Sequence, residues 1–180
     1  VATFAVPAVP VFPPGYQPQN ADFTLWWFDT AAFLETKMAF RGDQENAATT
    51  IPDTGAVTTI GLDTAIEDPY GGFNATTHLW TPPAGYSGWF DVCYTLRTAA
   101  QAANGMLQIV MAGTYSYAID QALGSTSTGA GISAQFRCYL VGGQDSIGLA
   151  AQLKNATANL NTSITAGLRS TMEIMWTSQS

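Results

Sequence analysis

A chain of 180 residues and 19.1 kDa has room for one domain with a real core, and 47% hydrophobic residues against only 11% charged is not the make-up of a disordered chain. Six Lys and Arg stand against 13 Asp and Glu, a formal net charge of -7, so the average surface repels phosphate and neither nucleic acid nor an anionic membrane is an expected partner. No stretch reaches the ~18 consecutive apolar residues of a membrane helix, and the N-terminus lacks the basic start and apolar run of a secretory signal, so the chain as given is expected to be soluble.

Five of the nine prolines (Pro7, Pro10, Pro13, Pro14 and Pro18) fall in the first 18 residues, interleaved with Val, Ala, Phe12 and Tyr16. Proline fixes φ and lacks an N–H, which excludes helix and central strand and predicts an extended arm whose apolar side chains need a surface to lie on. From Asn20 the texture changes. Asn20 and Asp29 (or Thr30) are suitable N-caps, each opening a run without Pro or Gly, and two short helices are expected. Trp26, Trp27, Phe28, Phe33 and Leu34 are too many large apolar groups for short helices in water, so this segment must pack on the body or on another chain. The expected organisation is an anchoring arm over 1–19, a helical aromatic-rich segment over 20–39 and an all-β body over 40–180.

In the body the signal has period two. A strand is expected at Val57 to Leu62, and Tyr86, Phe90, Val92, Tyr94 and Leu96 share one strand face. Leu107, Ile109 and Met111 alternate in the next, and Ile132, Phe136, Cys138 and Leu140 in a later one. Ile147, Leu149 and Leu153 continue the pattern, and Met172, Ile174 and Trp176 close it. Asp53-Thr54-Gly55, Asp68-Pro69-Tyr70-Gly71-Gly72, Pro82-Pro83-Ala84-Gly85, Asn104-Gly105, Gly124 to Gly131 and Gly142-Gly143-Gln144-Asp145 supply the turns. Many short strands at this spacing indicate a β-sandwich or jelly roll. Cys93 and Cys138 sit inside apolar alternating runs and read as buried free thiols, with a disulfide between neighbouring strands as the alternative.

Catalytic chemistry is sparse. His78 is the single histidine and has neither a nucleophile nor metal-ligand company in sequence, so it reads as a structural strand residue. Asp63, Glu67 and Asp68 form an acidic cluster whose oxygens could hold Ca²⁺, but the spacing lacks the alternating ladder of a calcium loop, and a solvated loop is the reading. No other cofactor is suggested. Arg41-Gly42-Asp43 spells an integrin tripeptide at the head of an expected strand, a coincidence. The sequons at Asn74, Asn155 and Asn161 are expected from an Asn- and Thr-rich composition. No P-loop, nucleophile elbow, CxxC or HExxH is present, and no catalytic residue is assigned.

Leu79-Trp80-Thr81-Pro82-Pro83-Ala84-Gly85-Tyr86 resembles the aromatic and Pro-x-x-Gly-Tyr turn that leads into a central strand of the C1q/TNF-like jelly roll. Upstream, Thr50-Ile51-Pro52 and Gly71-Gly72-Phe73-Asn74 fit the same family. Downstream, Leu140-Val141-Gly142-Gly143-Gln144-Asp145 looks like its Leu-x-x-Gly-Asp turn with Gln144 inserted. Over about Phe40 to Trp176 this resemblance implies a ten-stranded sandwich that packs as a homotrimer and serves recognition and assembly rather than catalysis. Tyr94 and Trp176, or residues adjacent to them in strand register, are expected near the trimer axis, with filling of the sandwich core as the alternative.

The N-terminal part, Pro13-Pro14-Gly15-Tyr16 followed by Asp22-Phe23, Trp26-Trp27, Phe33-Leu34 and Phe40-Arg41, resembles the start of small minor tail proteins of bacteriophages that infect actinobacteria. Together the two resemblances imply a non-enzymatic virion structural protein on the exterior of the tail or capsid. Pro10, Phe12, Pro13, Pro14, Tyr16, Trp26, Trp27 and Phe28 would anchor it to the tail or the major capsid protein, and exposed loops would be free to touch a host cell-surface glycan. The competing readings are a free C1q-like or lectin-like ligand-binding module and, last, a hydrolase built on a jelly roll.

Overall fold

A computed structural model describes residues 38–100, 105–114, 118–123 and 129–178. The expected arm and most of the expected helical segment, up to residue 37, lie outside the described residues. The first described strand starts at Met38 and includes Ala39 and Phe40.

Thirteen strands, and no helix, are found among the described residues. In chain order they are β1 (Met38–Asp43), β2 (Thr50–Ile51), β3 (Thr58–Thr59), β4 (Thr64–Glu67), β5 (Phe73–Asn74), β6 (Leu79–Trp80), β7 (Gly88–Arg97), β8 (Gly105–Gly113), β9 (Ala118–Leu123), β10 (Gly131–Leu140), β11 (Ile147–Lys154), β12 (Leu160–Asn161) and β13 (Thr171–Ser178). One five-stranded sheet runs β10-β7-β13-β1-β4 and a six-stranded sheet contains β5-β6-β11-β8-β9, with β3 also on β11; β2 and β12 form a small pair. The named strand pairings are antiparallel. The short strands account for thirteen where the resemblance implies ten.

The core lies between the two sheets. Phe40, Phe90, Val92, Tyr94, Leu96, Met172 and Ile174 come from the five-stranded sheet, and Leu107, Ile109, Met111, Ile147, Leu149 and Leu153 from the other. Full burial of each large apolar side chain is worth about 1.5–3 kcal/mol, enough for this layer to fix the register of every long strand. The expected strand Val57 to Leu62 is shorter than its sequence suggests. Ile60 N donates to Leu149 O at 2.8 Å, but Leu62 N then donates to Ile60 O at 2.8 Å, a three-residue turn that lifts the chain off β11.

The two turns that carried the resemblance are in contact. Tyr86 N donates to Pro83 O at 3.0 Å across Gly85, whose φ of 91° suits the third position of a type II turn. Gly143 N then donates to Pro82 O at 2.7 Å, and Gly142 N to Ser87 Oγ at 3.0 Å. Asp145 Oδ2 accepts from Val141 N at 2.7 Å and so holds the second turn closed. Gly142 must lack a side chain here: a Cβ would stand 2.3 Å from Pro83 O.

Candidate functional site

Strict alternation along β7 gives the five-stranded sheet two distinct faces, with Phe90, Val92, Tyr94 and Leu96 inward and Trp89, Asp91, Cys93, Thr95 and Arg97 outward. Register then assembles a continuous outer band. Tyr139 pairs with Trp89, Arg137 with Asp91 and Gln135 with Cys93 on one side, and Met175 pairs with Asp91 and Glu173 with Cys93 on the other. The Trp89 and Tyr139 rings meet edge to face at 5.7 Å, and Trp89 is 42% exposed. Arg137 Nε lies 3.4 Å from Asp91 Oδ1, and its Nη2 donates to Thr177 Oγ1 at 3.1 Å; the Thr177 hydroxyl in turn donates to Trp89 O at 2.9 Å. Arg41 and Glu173 pair at 3.5 Å beside it.

An exposed indole flanked by a guanidinium held in place can pack against another protein surface or stack on a sugar ring. The exposed ion pairs themselves contribute little stability. The band was not singled out in the sequence, although Trp89 stands next to the apolar Phe90 register; its signal is a large aromatic on the off-beat of a strand.

Tyr94 is in the sandwich core, the alternative named for it. It is 1% exposed and its phenol donates across the layers to Gly148 O at 2.9 Å, so it has no surface to offer a neighbouring chain. Burial pushes the Tyr94 phenol far above its ordinary pKa, followed by a smaller influence of the Cys138 thiol. Trp176 is half-buried on the same inward side as Met172 and Ile174 and packs edge-on against Tyr86 at 6.3 Å. The residues adjacent to both in register, Cys93, Thr95, Met175 and Thr177, are the ones on the outer side of the sheet. Pro10, Phe12, Pro13, Pro14, Tyr16, Trp26, Trp27 and Phe28 lie outside the described residues.

The acidic cluster is not drawn together. Asp63 turns inward to accept backbone N–H bonds from Glu45 at 2.8 Å, Asn46 at 2.8 Å and Ala47 at 3.0 Å. Partial burial alone would raise its pKa, but these donors outweigh it and hold the carboxyl below the usual range. Asp68 accepts from Gly72 N and Phe73 N, both at 3.0 Å, and from Trp80 Nε1 at 3.3 Å, closing its own loop. Glu67 is exposed on β4. Among the described residues no group of three or more His, Cys, Asp or Glu side chains is placed to hold a metal ion.

His78 is a turn residue ahead of β6 rather than a strand residue, at φ 57°, with its ring Nδ1 donating to Leu62 O at 2.7 Å. Arg41-Gly42-Asp43 forms the second half of β1, not a strand head, and is flanked by β13 and β4. The Asn74 side chain accepts from Thr76 N at 2.9 Å, and that of Asn161 accepts from Thr50 Oγ1 at 2.7 Å. Both cysteines are free and face opposite sides, Cys138 into the core and Cys93 outward. Burial raises both thiols, that of Cys138 to about 11, with smaller contributions from nearby carboxylates.

No protein-family model and no curated protein sequence matches this chain. Solved structures do. PRD1 vertex protein P5 superimposes with a TM-score of 0.54 at 15% identity, over 79% of this chain and 74% of that one. A TNF, Eiger from S. frugiperda, superimposes with a TM-score of 0.50 at 8% identity, over 80% of this chain and 95% of that one. Identities this low speak for the fold alone, and the fold is a C1q/TNF-like jelly-roll sandwich.

Proposed function

We propose that the protein is a non-enzymatic structural component of a bacteriophage virion, a homotrimeric jelly roll fastened to the particle through its N-terminal segment. The observation that carries this reading is the shared architecture, over most of both chains, with a phage vertex protein. The outer face of the five-stranded sheet supports self-association. It combines half-buried Cys93 and Met175 with paired charges and the Trp89–Tyr139 couple, a mixture of apolar and polar groups found in interfaces. The Pro-rich arm, Pro10 to Tyr16, and Trp26 to Phe28 then make the contacts with a tail protein or the major capsid protein, on the exterior of tail or capsid. The role needs no cofactor.

Purified particles should contain the protein by mass spectrometry, and gold labelling of intact particles should place it on the tail, as a minor tail protein, or on the capsid, as a decoration protein. Particles without it, from a parent whose deletion changes nothing in assembly or stability, overturn the proposal. Light scattering at micromolar concentration should give three times 19.1 kDa; a monomer removes the trimer.

One observation favours a second reading, a lectin-like module that binds a host cell-surface glycan. Trp89 is open to solvent beside a guanidinium held by Asp91 and Thr177, a platform suited to a sugar ring. Binding on a glycan array that disappears in Trp89→Ala separates this reading from a purely structural role.

A further inference from the structure

At a corner of the five-stranded sheet, where β7 begins and the edge strand β10 ends, there is an open hollow of about 400 Å³. Among the described residues its walls are Trp89 and Arg137. Small-molecule sites run from roughly 300 to 1,000 Å³, so the hollow has room for a sugar ring. Both walls are on strands and both are held. The Tyr139 ring meets the indole edge to face at 5.7 Å. The register of β13 on β7 slips between Trp176 and Ser178, and Thr177 stands at the slip. Its hydroxyl accepts from Arg137 Nη2 at 3.1 Å and donates to Trp89 O at 2.9 Å. Asp91 Oδ1 lies 3.4 Å from Arg137 Nε, yet the Arg137 side chain stays 60% exposed.

We infer that this hollow takes an uncharged hexopyranose and discriminates against acidic sugars. The inference rests on the lectin-like reading of Trp89 and names the class of glycan that reading requires. A pyranose presents a patch of C–H groups and a rim of hydroxyls. The patch suits the exposed indole, which has an apolar face of matching size. Two adjacent hydroxyls then need a donor and an acceptor side by side, and Arg137 and Asp91 stand in that relation. A guanidinium has five N–H donors, and the contacts with Asp91 and Thr177 use only part of them. A carboxylate accepts at both oxygens, and only Oδ1 of Asp91 faces Arg137 Nε.

Charge selects the class. The one cation of the hollow is already offset by Asp91, and the chain as a whole has a formal net charge of -7. A sugar carboxylate therefore meets no surplus positive charge and adds repulsion from Asp91. A neutral sugar uses the same donor and acceptor without that cost.

The test titrates the full-length chain with the methyl glycosides of glucose and galactose and with the corresponding methyl uronides, in about 150 mM salt so that distant charges are screened. Binding is read by saturation-transfer NMR. At least one neutral glycoside is expected to bind, with its uronide weaker by roughly tenfold or more. Trp89→Ala should abolish binding. Asp91→Asn keeps the shape of the side chain but leaves the Arg137 charge without its partner, and should turn the preference toward the uronide. Uronides that bind the wild type as tightly as the neutral glycosides overturn the proposal and leave the lectin-like reading standing, whereas binding of none of the four removes both. Binding that survives Trp89→Ala, or a preference that Asp91→Asn does not move, also overturns the proposal.

Discussion

The two sheets of the sandwich bury their residues in different ways. Along β7 burial alternates residue by residue, and β13 follows the same rule, so the five-stranded sheet keeps an open outer face. On the six-stranded sheet, Leu107 to Met111 of β8 and Ile147 to Ala151 of β11 are buried without interruption. The first two outward residues of β11 are small: Ala150 lies between Val110 and Thr59 in register, and His78 and Leu79 lean on Gly148. Gln152 next to them donates to Gly55 O. One sheet is thus closed by its own chain, and the other leaves Trp89 exposed to solvent.

That contrast can be broken most severely at the link between the sheets. Tyr94→Ala removes a buried aromatic and the bond from β7 to Gly148 of β11, and is expected to cost about 3–5 kcal/mol in chemical denaturation. Tyr94→Phe keeps the ring and should cost only about 1 kcal/mol, which isolates the hydrogen bond. Gly142→Ala comes next. Its Cβ meets backbone at Pro83, and a loss of about 1–3 kcal/mol is expected as the two signature turns separate.

Asp63→Asn should cost about 1 kcal/mol near neutral pH, since its backbone donors are partly solvated and lose a charged acceptor. The native carboxyl has a lowered pKa, so its contribution is complete above the ordinary value of about 3.9 and fades as pH falls through the lower folded value. The stability of wild type and Asp63→Asn should therefore converge in acid. Asp43, which burial raises, has the opposite sign, so the comparison must be made between these two proteins rather than read from the wild-type curve alone.

Smallest in stability, and most informative on the open face, is Trp89→Ala. A melt within about 0.5 kcal/mol of wild type is expected for an exposed position. In contrast, light scattering should shift from trimer toward monomer if this face is the interface, and an unchanged trimer would move the interface elsewhere.

Much of the body was legible because a strand half-exposed to water writes its fold in period two. Phe90, Val92, Tyr94 and Leu96, and later Met172 and Ile174, were placed on the core side by alternation alone, and all are buried. Val57 to Leu62 misled because apolar alternation does not reveal where a chain turns away. Tyr94 and Trp176 left two readings open for a related reason: an aromatic at an inward position reads the same whether the inside is a sandwich or a trimer axis. The acidic cluster had the density of a cation loop, but backbone N–H groups distant in sequence had already claimed two of its carboxylates.

What the sequence determined by itself was the class of the body, its long strands and the pairing of two turn motifs with a C1q/TNF-like jelly roll, since periodicity and turn chemistry are local. Only the tertiary structure decided which strands paired, which turns touched and which outer face stayed open. Those outcomes depend on register between strands far apart in the chain, where one hydrogen-bonded pairing excludes every other.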